Sequence, residues 1–384
     1  MLDKRDPSIA EWVRRTGGRT SGFDYLRVCL AIGVICVHSS STSYGHTSDL
    51  VVWGGPQRAA EHIILPMFFA LSGFLVAGSL ERSRTLVSFF GLRILRIVPA
   101  LSVEVLLSAM IFGPMLSSLA LRAYFTNPEF HLYFLNITGD IHYLLPGVFL
   151  DNPIPRAVNE QLWTVPFELE CYIALGGLAV IGIMGKRRLT LAIVGIGQCL
   201  WAWQAWKRGE VGGANGASGS ILVLCFLVGI LFFQYRDKIP ISKRLFALSV
   251  LLCLGLGWLP HGTYYVPIPA TYLTIYLGLQ NPPRQKLLLS GDYSYGLYLY
   301  GFPVQQAFAS LGPWAHHWYL NLIVCLPAAF LIACFSWHTV EKPALALRRY
   351  LPAIERKLAR LVFGGTLVGE PAPAEARAAA IPRR

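Results

Sequence analysis

Runs of mostly apolar residues, each close to the roughly 20 needed to cross the hydrocarbon of a bilayer, recur along this chain almost to its end. They lie at about 23 to 41, 58 to 80, 97 to 119, 162 to 184, 189 to 206, 218 to 234, 245 to 260, 264 to 280, 292 to 311 and 318 to 339. No polar block between them is long enough to build a core of its own, so the 384 residues are expected to form one membrane domain. The expected fold is an all-α integral membrane protein with about ten transmembrane helices. With 54% hydrophobic and only 14% charged residues, and a mean hydropathy of +0.49, the chain lies well outside the usual soluble range.

The charges are bunched, and their distribution sets the topology. With the N-terminus in the cytoplasm, only Arg58, Arg122, Arg156, Lys207 and Arg208 of the 33 Lys and Arg fall on the outer side. An even number of spans with both termini cytoplasmic gives this asymmetry. It also accounts for the net charge of +12 without nucleic acid as a partner. Residues 1–22 read as a basic cytoplasmic segment carrying Lys4, Arg5, Arg14, Arg15 and Arg19, followed by a retained first helix with no cleavage site. Residues 23–349 form the polytopic domain, and 350–384 a cytoplasmic tail whose Gly, Ala, Pro and Arg content from about 364 predicts disorder.

The eight cysteines sit in apolar runs without C-x-x-C spacing, and neither a disulfide framework nor a metal site is indicated. The longest external segment, about 120 to 161, is rich in Pro, Asn, Tyr and His; it reads either as a plain connection or as the lining of a cavity mouth, with a re-entrant piece between 124 and 150.

Ionisable residues inside spans are costly and mark candidate sites. The first run, FDYLRVCLAIGVICVH, carries Arg27 and His38. Eleven residues turn a helix to within about 20° of whole turns, so the two share one face, about 16 Å apart along the axis. Arg27 lies at the inner boundary and His38 in the outer half, where SSSTS follows. Arg93 and Arg96 open the third run and Glu104 lies within it. Glu168 enters from the outside in LWTVPFELECY, at a depth expected to match His38, so that its carboxylate could orient the imidazole. Glu170 faces elsewhere, about 200° around the helix from Glu168. Glu104 is either a cavity residue or an arginine's partner. Ser72 and Gly73 in FFALSGFLV allow close helix packing or approach to a ligand.

Together these pieces resemble the acyltransferase-3 family of integral membrane O-acyltransferases, over most of Phe23 to Arg349. FDYLRVCLAIGVICVH looks like its first-helix pattern of Arg and His with ten residues between. PMFFALSGFLV, RILRIVPAL, LWTVPFELECY, and SYGLYLYGFPV with TVEKP resemble its later helices, in order. Three positions depart from the pattern: Tyr25 where Gly is common, Val98 where Tyr is frequent, and Gly301 where His is often found. There is no hydrolase-like domain after the last helix, so a second transfer step would need another protein.

The resemblance implies transfer of an acyl group, usually acetyl, from cytoplasmic acyl-coenzyme A to a hydroxyl of a carbohydrate or glycolipid acceptor, in the inner membrane of a bacterium. On that expectation Arg27, Arg93 and Arg96 bind the phosphates of the acetyl-CoA (or other acyl-CoA) co-substrate, and His38 is the catalytic base or transient acyl carrier. Glu168 orients it, Ser72 or donors near Gly73 hold the oxyanion, and Trp163 stands on the acceptor side. A transporter or flippase for a glycan or acyl group is the competing class, since intramembrane Arg, His and Glu also serve proton coupling. A structural or sensory membrane protein is a third, but it leaves the Arg27 to His38 spacing without a purpose.

Overall fold

The computed structural model describes residues 6–18, 20–46, 52, 58–83, 85–207, 218–256, 258–259, 262–285 and 290–363. Among them the protein is helical, with three isolated β-bridges and no strand. The main helices are α1 (Ile9–Arg15), α2 (Gly22–Tyr44), α3 (Arg58–Arg82), α4 (Leu86–Leu107), α5 (Val165–Val180), α6 (Arg187–Lys207), α7 (Gly219–Gln234), α8 (Lys243–Leu256), α9 (Pro267–Gly278), α10 (Ser294–Ala309), α11 (Trp318–Ser336) and α12 (Leu351–Phe363). Each expected apolar run overlaps one of α2 to α11. Among the described residues, four stretches are long and apolar enough to cross a membrane by length and composition: Gly22–Tyr44, Ala59–Arg82, Leu86–Leu116 and Trp318–Leu358.

One end of the bundle is tied together by polar contacts. Ile9 and Ala10 donate backbone hydrogen bonds to Ile239 O and Arg236 O, and Trp12 Nε1 donates to Leu279 O at 2.9 Å. Arg236 pairs with Glu81 at 2.9 Å and Arg187 with Asp237 at 2.9 Å. The hydrogen bond from Arg187 holds the Asp237 carboxyl below its usual range. Residues 8–15 of the basic N-terminal segment are therefore docked: the Ser8 capping box starts α1, and Ile9 is buried beneath it.

One expectation changes. The third span starts at Leu86, eleven residues before 97, because Thr85 caps it by accepting from Ser88 N at 3.2 Å. Arg93 and Arg96 accordingly sit inside α4 and not at its start. At the C-terminal end, residues 351–363 form a docked helix: Leu351 packs on Gly91 and Ser88 Oγ donates to Glu355 at 3.3 Å. The part of the tail beyond 363 lies outside the described residues.

The long connection after α4 is neither a span nor a plain loop. A π-helical turn, Ser108–Phe112, ends α4 and leaves Ala109 O to accept from the Tyr124 hydroxyl at 2.7 Å, and Gly113 makes room, since a Cβ there would sit 1.8 Å from that oxygen. Tyr124, Phe125, Phe130 and Phe134 pack as an aromatic cluster around two short helices. Phe149 and Arg156 follow with φ of 54° and 66°, the left-handed region that side chains disfavour.

From there the chain runs without regular structure along α10. Gln306 Nε2 donates to Ile154 O and Ala157 O at 2.9 and 2.7 Å, while Asn152 Nδ2 donates to Gln306 O and Oε1, both at 2.9 Å. Irregular backbone among membrane helices is tolerated where protein groups satisfy it in this way.

Candidate active site

A cavity enclosing about 920 Å³ of empty space, open mouth included, lies between α2, α3, α4, α5 and α10. Its polar wall is made of Arg27, Ser72, Arg93, Arg96, Thr164, Glu168, Tyr172, Ser294, Tyr295 and Tyr298; Phe68, Leu71, Leu75, Val76 and Ile97 form much of the rest. Five of the expected residues, Arg27, Arg93, Arg96, Ser72 and Glu168, thus come to one place from four helices.

The arginines are held differently. Asp292 Oδ2 lies 3.1 Å from Arg27 Nη1 and 2.8 Å from Arg96 Nη2, and Ser294 Oγ donates to the other oxygen of Asp292 at 2.7 Å. Arg96 Nη1 also pairs with Glu341 Oε2 at 3.4 Å, a carboxylate only 1% exposed. Its guanidinium stands over the rings of Tyr295 and Trp337. Arg93 instead donates to Ser79 Oγ at 3.0 Å and lies over Phe89 and Tyr172, with its buried Nε making no hydrogen bond.

Glu168 lines the same cavity as the three arginines. The Tyr172 hydroxyl donates to it, one turn along α5, and stands 3.4 Å from Ser72 Oγ. Glu168 reaches this level because the chain before α5 enters deep. Gln161 Nε2 donates to Leu299 O at 2.7 Å, Tyr298 donates to Gln161 O, and Thr164 Oγ1 donates to Tyr298 Oη at 2.5 Å. Leu299 O is the carbonyl that Pro303, four residues on, cannot serve with an N–H.

The expected meeting of Glu168 with His38 is therefore corrected: Glu168 pairs with Tyr172, near the level of Arg27. His38 lies farther along α2, half-buried, its ring edge-on to Phe302 at 5.1 Å, and it does not line the cavity. The serines after it are not in water. Ser39, Ser40, Ser41 and Thr42 are buried and bond back to carbonyls one turn earlier, and α10 and α11 cover them through Gln305 to Ile35 O and Asn321 to Thr42.

Gly73 leaves the cavity too. It packs on α7, where a Cβ would stand 2.0 Å from Phe226 O, and Gly229 makes the reciprocal approach to Ala70 O. Trp163 packs edge-on to Phe167 in the 3₁₀ turn Glu160–Thr164, and its neighbour Thr164 faces the cavity instead. Glu170 is exposed, as its helical phase requires. Glu104 is 1% exposed and accepts from Ser108 Oγ at 3.0 Å, so it is neither a cavity residue nor an arginine's partner. Among the described residues no group of three or more His, Cys, Asp or Glu is placed to hold a metal.

Asp292, Tyr172, Tyr295 and Tyr298 are the site residues that sequence reasoning missed. The i, i+3 spacing of Tyr295 and Tyr298 in SYGLYLYG marked a shared helix face. Nothing local marked Asp292, whose partners are 196 and 265 residues away in the chain.

The acyltransferase domain family model matches residues 20–340. Nodulation protein 10 of Rhizobium leguminosarum bv. viciae is 28% identical over 371 residues, covering 88% of this chain and 96% of its own length. An O-acetyl transferase of Shigella phage Sf6 is 25% identical over 334 residues, covering 84% and 96%. No solved structure matches this chain.

Proposed function

The chain belongs to the acyltransferase-3 family of integral membrane acyltransferases, and from that premise we propose that it moves an acetyl group from cytoplasmic acetyl-CoA to a hydroxyl of a carbohydrate or glycolipid acceptor. The observation that carries this reading is the convergence of Arg27, Arg93 and Arg96 in one membrane-domain cavity with Ser72, Tyr172 and Glu168. Guanidinium groups suit the phosphates of a nucleotide-bearing donor, and a cavity of this size suits its pantetheine arm.

In this reading ten helices cross the inner membrane with both termini in the cytoplasm. The polar ties among the N-terminus, the end of α3 and the starts of α4 and α6 support one common inner face. Donor phosphates sit at Arg93, Arg27 and Arg96, and the arm extends outward along α2. Arg27 and His38 are separated by about 16 Å of helix, a span an extended pantetheine can bridge.

His38 takes the proton of the acceptor hydroxyl as its oxygen attacks the thioester carbonyl. The new C–O bond forms, the C–S bond breaks, and the thiolate of coenzyme A leaves with the proton returned from the His38 imidazolium. Glu168 holds the Tyr172 hydroxyl, and Ser72 beside it offers a further donor to the donor's carbonyl or amide groups. The segment 120–164 shapes the acceptor side.

The test is to incubate purified protein with radiolabelled acetyl-CoA and candidate glycan acceptors. Label appearing on the acceptor supports an enzyme, whereas acceptor crossing the membrane unmodified supports a transporter. Mass spectrometry of surface glycans from cells with and without the gene identifies the acceptor.

A further inference from the structure

Three arginines in one cavity would repel one another strongly if left bare, and the fold meets this with carboxylates of its own. Asp292 is placed differently from the others. Glu341 is almost wholly buried behind Arg96 and is tied to Ser336 Oγ at 3.3 Å, so it belongs to the scaffold. Asp292 stands just before α10, 30% exposed, and one of its oxygens receives both Arg27 and Arg96. A carboxylate oxygen bridging two guanidinium groups is the arrangement a phosphate oxygen would adopt there.

We infer that Asp292 is an internal counter-anion that holds Arg27 and Arg96 in the donor's absence and gives them up to the donor's phosphates when it binds. This deepens the proposed function, resting on its assignment of these arginines to an anionic donor, and names the residue that sets donor affinity. Arg93, which lines the cavity and donates to a neutral hydroxyl, Ser79 Oγ, is the first contact for the incoming phosphate. Transfer of Arg27 and Arg96 from Asp292 to the phosphate then completes the site. Binding is an exchange of anions: one ion pair is lost as another forms, so the net affinity is lower than three arginines alone would give. The exchange also favours release, because Asp292 is ready to recapture the arginines when product coenzyme A departs.

A purely structural Asp292 would only aim the arginines, and its removal would weaken donor binding. A competing Asp292 predicts the opposite sign. The experiment is equilibrium binding of coenzyme A, with pantetheine as the phosphate-free control, to full-length protein in nanodiscs. Wild type is compared with Asp292→Asn, Asp292→Ser and Asp292→Glu, with thermal stability measured on each.

The two neutral variants should bind coenzyme A about tenfold more tightly, leave pantetheine affinity unchanged, and show slower product release. Asp292→Glu, which keeps the charge, should stay near wild type. Unchanged or weaker coenzyme A binding by whichever neutral variants remain folded overturns the inference while leaving the proposed function standing. If wild type itself binds coenzyme A no better than pantetheine, and Arg93→Ala changes nothing, the donor assignment fails and this inference fails with it. Collapse of both neutral variants during purification counts for the structural role and against the exchange.

Discussion

Gln161 Nε2 donates to Leu299 O at 2.7 Å, bridging the descending segment to the carbonyl that Pro303 leaves open in α10. That bond sets how deep the chain goes before α5 begins, and so where Thr164 and Glu168 stand. Gln161→Leu should lower stability by about 1–3 kcal/mol, the cost of a buried carbonyl left unpaired. The measurement is the shift in thermal midpoint in detergent. Acetyl transfer should fall as well, because the cavity wall moves.

Gly73 and Ser72 are neighbours in sequence with separate tasks. Gly73→Ala places a methyl about 2.0 Å from Phe226 O and should destabilise the α3–α7 contact by about 1–3 kcal/mol, visible as a lowered melting temperature. Ser72→Ala should melt like wild type and lose activity by less than about tenfold, measured as acetyl transfer at matched expression.

For the arginines, the expected outcome is graded by their partners. Arg93→Ala should weaken coenzyme A binding by about 1.5–3 kcal/mol, roughly ten- to a hundredfold. Arg93→Lys should recover only part of this, since an ammonium cannot reproduce the planar stacking over Phe89 and Tyr172. Arg27→Ala and Arg27→Lys should weaken binding in the same direction. Calorimetry on purified protein checks all four.

Tyr172 and Glu168 act as a unit, because the hydroxyl of one is held by the carboxylate of the other. A double-mutant cycle of Tyr172→Phe and Glu168→Gln on transfer rate should show coupling of about 0.5–3 kcal/mol. Additive effects would mean that the two are independent.

The architecture was legible because its signal is local. A helix of this kind is written in consecutive apolar residues, and each expected run overlaps one of α2 to α11. Helix starts were less legible: the Thr85 cap moves α4 eleven residues upstream, and with it the depth of Arg93 and Arg96. Arg27, Ser72 and Glu168 were marked by their residue types inside apolar runs and do converge on one cavity, yet depth could not be read for Glu168. The descent of residues 152–164 depends on Gln161 and Gln306, whose hydrogen bonds join it to α10 across more than 130 residues of chain. Gly301, a departure from the family pattern, has a physical reason seen only in the fold: a Cβ there would stand 2.7 Å from Ile35 Cγ1, where α10 closes on α2 one turn before His38.

The account turns on His38. The most direct measurement is acetyl transfer from labelled acetyl-CoA by wild type and His38→Ala in membranes at matched expression, with coenzyme A binding followed in parallel. A loss of about 10²- to 10⁴-fold in transfer with binding retained is expected; full transfer by His38→Ala would overturn the role proposed for this residue.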